Sequence, residues 1–311
     1  MKRKAPGRFT TLDEQICKLR HRNVIVPNED RAKLYLLRDG YYSMINGYKD
    51  VFIDKGETNQ RGDDWYKDGT SFEHFLLLYT FDKALRRITM DALLNAEGLM
   101  KSATVYAFCY YNRDIEAYLD PANYCASSDY QNRKQYTKNL IKLLSTMQRA
   151  HDNVSKDYVR HYLDNYTSVP LWVVSNVLTF GNLSNFYDLQ KTEVKSAICQ
   201  NIRKAAELDV DGFGISSARK AFSVLSMYRN ICAHEERLYC ARVGKHKVYS
   251  FGDMPECLSQ VICHEDMSTY ASAVLKYIKL INDDEIVSVV YGGLGIAEKD
   301  LESYICESSS S

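Results

Sequence analysis

Arg229 and His234 lie five positions apart in MYRNICAHEERLYC, residues 227–240, inside an otherwise apolar, helix-like stretch. The pair joins a guanidinium that stays charged and can grip an oxyanion through two N–H groups to an imidazole that titrates near neutrality and serves as acid or base. Spacing alone decides nothing, because a chain with 18 arginines and 7 histidines supplies about one such pair by chance. This is nevertheless the only arginine followed by a histidine with four to six residues between them. On an ideal helix, positions five apart differ in direction by about 140° and positions four apart by about 40°. Asn230 therefore shares a face with His234, and Arg229 points away from it. For Arg229 and His234 to work on one bond, the helix must end or bend near His234, or a second copy related by a two-fold axis must complete the pocket. Both routes favour a composite site in a dimer. The competing reading has Arg229 paired with a surface acid and His234 capping the helix C-terminus, where a cation is favourable.

The elements that must position these residues read as helices almost throughout, with little of the strict alternation that marks strands. Residues 11–22 open with Thr11 and Glu14 in capping-box spacing, and residues 28–40 start on Asn28 with two acids and stop at Gly40. The polar, turn-rich residues 54–70 are expected to form a loop or linker. About forty residues without proline follow from Ser71, with Phe72, Phe75, Tyr79, Leu85, Ile88 and Leu93 at roughly helical spacing, which predicts one long helix or two nearly collinear ones. Further helices are expected over 135–150, 155–166, 192–208, 216–234 and 268–282. The apolar run LWVVSNVLTF after Pro170 is expected as a buried helix rather than a strand. The final ESSSS is expected to be disordered, and YGGLG at 291–295 to be a plain turn, since the Lys-Ser/Thr of a phosphate-binding loop is missing.

Composition sets the outer limits. A chain of 311 residues with 45% hydrophobic and 26% charged residues is long enough for a substantial core and reads as globular. No stretch approaches the roughly 20 apolar residues of a membrane span, and the start lacks the apolar run of a signal peptide. A cytoplasmic location with no membrane partner is therefore expected. Nine cysteines without Cys-x-x-Cys pairs suit reduced, mostly buried thiols. Cys232, His234 and Cys240 fall short of the four ligands of a structural zinc site, so Cys232 is expected in the core, and neither a metal nor a cofactor is expected. The remaining histidines considered, His21, His74, His151 and His161, read as surface groups. Net charge is zero, yet residues 1–39 carry ten Lys/Arg against five Asp/Glu, and residues 283–311 carry one lysine against seven acids. A basic end meets nucleic acid in some proteins and is simply solvated in most. The 24 tyrosines are expected mainly in the core, with YYSMINGY and YAFCYYN as candidates for stacking unpaired bases.

Residues 34–48 (LYLLRDGYYSMINGY), 77–88, Glu97, 168–187 (SVPLWVVSNVLTFGNLSNFY) and 228–239 (YRNICAHEERLY), in that order, resemble the Abi family of phage abortive-infection proteins. The likeness runs from about residue 12 to about residue 282. That family resembles in turn the HEPN superfamily of helical-bundle RNases, whose motif is an arginine, a polar residue, a few more residues and a histidine. Arg229, Asn230 and His234 fall on that motif. The resemblance implies an all-α, HEPN-like helical bundle with a small N-terminal helical extension. Its parts would be residues 1–55 as a basic, RNA-binding helical region, 56–70 as a loop or linker, 71–282 as the helical domain and 283–311 as an acidic C-terminal region.

The implied activity is metal-independent cleavage of RNA, in which the 2′-hydroxyl is the nucleophile and a 2′,3′-cyclic phosphate remains. Arg229 would stabilise charge at phosphorus, His234 would move the proton, and Asn230 would orient the imidazole or bind a phosphate oxygen. HEPN relatives often place a polar residue of an earlier helix against the motif helix, which makes Glu97 a candidate to hold Arg229. The alternative puts Glu97 on the wet side of its helix. Arg86 and Arg87 either bind RNA or pair with Asp82 at helical spacing, and the pairing is favoured. The implied partners are substrate RNA, a small structured RNA that holds the toxin in check, and a second copy of the chain in a homodimer or higher homo-oligomer. Besides Lys2, Arg3, Lys4 and Arg8, the cations Lys18, Arg20, Arg22, Arg31, Lys33 and Arg38 are the candidate RNA contacts. A non-catalytic RNA-binding or dimerisation module of the same fold is the second function class.

Overall fold

The computed structural model describes residues 8–209, 212–245 and 247–305. The expectations for Lys2, Arg3, Lys4 and the serine-rich end fall outside these residues. The architecture is all-α: α1 Leu12–His21, α2 Glu29–Asp39, α3 Lys55–Arg61, α4 Phe72–Tyr111, α5 Tyr136–His151, α6 Asp157–Asn165, α7 Leu171–Val174, α8 Phe180–Asp188, α9 Thr192–Ala205, α10 Ile215–Ala233, α11 Asp253–Leu258, α12 His264–Lys279, α13 Asp284–Leu294 and α14 Glu298–Glu302. The one sheet among the described residues is a hairpin of β1 Arg242–Val243 and β2 Tyr249–Ser250.

The chain divides into two compact units, residues 1–85 with 276–293 and residues 86–275 with 294–311, so its divisions fall elsewhere than at 55 and 70. In the first unit, α1 begins on a full capping box between Thr11 and Glu14, and α2 is capped by Asn28 and stopped by Gly40 at φ 82°. Residues 54–70 are not a linker. Asp54 caps α3 by accepting from the Glu57 N–H at 3.0 Å, Gly62 ends it at φ 71°, and the Lys67 N–H returns to the Phe52 carbonyl at 2.9 Å. Polar composition hid a helix whose start and stop residues were both present. The buried rings of Phe52, Tyr66 and Phe75 pack around this return, with centroids 4.7 and 5.5 Å apart across the Phe52–Phe75 and Tyr66–Phe75 pairs. The YGGLG segment is also helical through Leu294, and the turn comes only at Gly295, φ 67°.

The second unit is built on the later part of α4, whose Leu93, Ala96, Met100, Ala107 and Phe108 are buried. The run after Pro170 is a single α turn, α7, followed by a 3-10 turn over Ser175–Val177, and Thr179 then caps α8. Helix α10 packs against α8 and α11, with Tyr187 stacked on Phe222 at 4.5 Å between ring centroids. The tyrosines divide as their positions require: Tyr118, Tyr124, Tyr187, Tyr228 and Tyr270 are buried, whereas Tyr106, Tyr110, Tyr111, Tyr158 and Tyr166 stand exposed.

Candidate active site

Helix α10 buries Ala218, Ala221, Phe222, Leu225, Tyr228 and Cys232, a spacing of three and four that leaves Arg229 at the edge of the apolar face and Asn230 outside it. Tyr228 fixes the rotation of this last stretch, because its buried hydroxyl lies 3.3 Å from the carbonyls of both Ala241 and Tyr249. The helix ends at His234, one of the routes that the angle between Arg229 and His234 leaves open. His234 is the C-cap residue, at φ −96° and ψ 9°, and Glu235 adopts the left-handed conformation at φ 55°. The Glu236 N–H then returns to the Ile231 carbonyl at 3.1 Å and the Glu235 N–H to the Cys232 carbonyl at 3.4 Å. This pair of backward bonds is the Schellman closure of a helix, usually built with glycine where Glu235 stands. His234 is the last residue tied into the helix, through its N–H to the Asn230 carbonyl at 2.9 Å, and it is exposed, as is Asn230.

Two residues of α4 hold this terminus. Arg86 is buried and donates from Nη1 to the Glu236 carbonyl at 3.3 Å, so a fixed cation grips the chain two residues beyond His234. That position removes Arg86 from the candidate RNA contacts, since a guanidinium buried against the protein's own carbonyl has no face for a phosphate. Arg87 is exposed. Three turns on, Glu97 is only 6% exposed, and its Oε2 lies 3.3 Å from Arg229 Nε. Neither atom makes a hydrogen bond, so this is a contact of charges without aligned N–H geometry. A buried carboxylate is costly without such a neighbour, and Glu97 is therefore not on the wet side of its helix.

The Arg229 side chain keeps 25% of its surface. Among the described residues, its Nη nitrogens make no hydrogen bond, and neither the Asn230 amide nor the His234 ring has a hydrogen bond or ion pair. One side of the guanidinium is anchored, and the groups able to meet a substrate are open. Cys232 is buried as core packing expects.

The basic residues near the chain start are arranged differently. Arg22 is buried and held by Asp63 and by Asp64 at 3.3 Å; burial acts to lower its pKa, but the Asp63 hydrogen bond and the nearby negative charges outweigh it, and the net shift is upward. Arg20 meets Glu29 at 2.8 Å. Lys33 meets Asp13 and, at 2.6 Å, Glu29, whose hydrogen bonds raise its ammonium pKa. Arg31 lies 3.4 Å from Glu73, and Arg38 lies 2.6 Å from Asp39 and over the Tyr35 ring. Lys18 lies over the ring of Tyr41, 5.8 Å from its centroid. Arg20, Lys33 and Arg38 are paired with acids of the same region, Arg22 and Arg31 with Asp63, Asp64 and Glu73 later in the chain, and Arg22 in particular is structural.

Sequence reasoning missed the Arg86 clamp, because its partner is 150 residues away; the available signal was an arginine falling between the apolar positions Leu85 and Ile88 of a long helix. No described helix is long and apolar enough to cross a membrane. The sequence matches the family model described as Abi-like protein over residues 34–240. It matches no curated protein and no solved structure.

Proposed function

Because this chain belongs to the Abi-like family, whose model spans two thirds of it, we propose that it is a phage-defence endoribonuclease that cleaves RNA without a metal at Arg229, Asn230 and His234. The observation that carries this reading is the open end of α10, where, among the described residues, the side chains of Asn230 and His234 have no partner while the buried Glu97 pairs with Arg229 through its Nε alone. RNA brings its own nucleophile. The neutral His234 imidazole takes the proton of the 2′-hydroxyl as the 2′-oxygen bonds to phosphorus, and the P–O5′ bond breaks as a protonated imidazole gives its proton to the 5′-oxygen. Arg229 offers its two Nη groups to the non-bridging oxygens, where charge builds up. Asn230 orients the imidazole or donates to the same phosphate.

A second copy of the chain supplies the second imidazole, so that one acts as base and the other as acid. A small structured RNA bound to the protein keeps the toxin silent. The test is purification of the full chain, an absorbance ratio for bound RNA, removal of that RNA, and a cleavage assay with EDTA present. Wild type yields 2′,3′-cyclic phosphate ends, and the His234→Ala and Arg229→Ala variants do not. Equal degradation by wild type and His234→Ala, or abolition by EDTA, refutes the mechanism.

A further inference from the structure

Residues 130–151 carry five Lys/Arg and no Asp/Glu, the opposite of the neutralised pattern at the chain start. On α5 the cations form one line. Lys138, Lys142 and Arg149 fall within about 40° of each other around the helix, spread along about 16 Å of its axis, while Leu143, Met147 and Ala150 on the other side are buried. Arg149 donates to the Ser145 carbonyl at 3.2 Å and to Thr146 Oγ1 at 3.2 Å, both uncharged acceptors. Among the described residues, none of these three cations forms an ion pair. At the helix end, Glu116 and Asp152 flank His151 at 3.0 and 2.6 Å.

The next helix adds rings. On α6, Tyr158, at 40% exposure, and Tyr166 just past its end, at 59%, follow one face with Tyr162 between them. The Tyr162 and Tyr166 rings lie 5.1 Å apart, tilted by 31°, with His161 at their edge. Helix α7 contacts both α5 and α6, and its Trp172 is 53% exposed. Three exposed rings on helices joined through α7 to the helix that carries the unpaired cations match a partner that is both anionic and aromatic.

We infer that the α5–α6–α7 surface of the second unit binds a single strand of RNA, with Lys138, Lys142 and Arg149 tracking the phosphates and Tyr158, Tyr166 and Trp172 stacking unpaired bases. This adds a docking surface to the nuclease reading. Binding itself does not require cleavage, so the two stand or fall separately.

The probe is a fluorescent oligouridine of roughly 15 nucleotides, titrated by anisotropy into the full-length His234→Ala protein over a range of salt. Added Lys138→Gln, Lys142→Gln and Arg149→Gln substitutions are expected to weaken binding at least tenfold and to flatten the log affinity against log salt slope by about 2, at about 0.7 per lost phosphate contact. Tyr158→Ala with Tyr166→Ala is expected to weaken binding at least fivefold with the salt slope unchanged. All five substituted positions are exposed, and circular dichroism checks that each variant folds. Absence of binding by the parent, unchanged affinity in the triple variant, or equally tight binding of a blunt RNA duplex overturns the surface. A larger loss from Arg20→Gln with Lys33→Gln than from the α5 triple overturns it as well. If wild type fails to cleave RNA while the α5 variants lose binding, the nuclease reading fails and the surface stands. If the α5 triple binds normally while wild type cleaves through His234, the surface fails and the nuclease stands.

Discussion

Arg20, Lys33 and Arg38 near the chain start each face a carboxylate, whereas Lys138, Lys142 and Arg149 on α5 face none among the described residues. The two regions have similar densities of positive charge and opposite electrostatics. In the first, the protein supplies its own counterions and the charge helps hold helices together. In the second, the protein leaves the charge unmatched, and self-repulsion is tolerated because an external anion relieves it. Counting Lys and Arg along the sequence therefore does not distinguish paired cations from unpaired ones.

The contrast is most sharply tested where stability and activity should separate. His234→Ala is expected to lower RNA cleavage by about 10³-fold with an unchanged melting temperature, because the ring is exposed and without a partner; a fall in melting temperature of several degrees would place His234 among the structural residues. Arg22→Ala should do the reverse. Removing a buried cation from between Asp63 and Asp64 costs about 2 to 3 kcal/mol in urea unfolding, with cleavage per folded molecule retained.

The exception on α5 is its last residue. Burial acts to lower the His151 pKa, but the hydrogen bonds to Asp152 and Glu116 outweigh it, and the net shift is upward. A raised folded pKa means that the stabilisation is full below the ordinary histidine value near 6.5 and is lost as the pH climbs through the folded value. Unfolding followed from pH 5.5 to 8.5 should show wild type weakening over that range more than His151→Gln, and parallel curves would refute the pairing. The smallest effect is expected at the turn after His234: Glu235→Gly relieves a left-handed conformation and should add about 1 kcal/mol of stability, measured by the same unfolding.

Much of this could be read along the chain. The limits of α1 and α2 were visible in Thr11, Glu14, Asn28 and Gly40, and the forty-residue α4 in its unbroken apolar spacing. The end of α10 at His234 was one of the two routes left open by the angle of about 140° between Arg229 and His234, the other being a second copy of the chain. What escaped depends on residues that meet only after folding. Asp63 is 41 positions from Arg22, and Glu236 is 150 from Arg86. α3 was missed because its apolar content is too small to show a period, although Asp54 and Gly62 marked both ends.

The two supports of the site share one helix. Arg86 and Glu97 are eleven residues apart on α4, which returns them to within about 20° of the same direction and separates them by about 16 Å. They meet α10 and its exit in the opposite sequence order, Arg86 at Glu236 and Glu97 at Arg229. α4 therefore works as a ruler, setting the separation between the residue that would steady the phosphate and the backbone that aims the imidazole. A single alanine inserted between Arg86 and Glu97 would rotate one support by about 100° relative to the other and put the two halves of the site out of register, with every residue of the motif still in place.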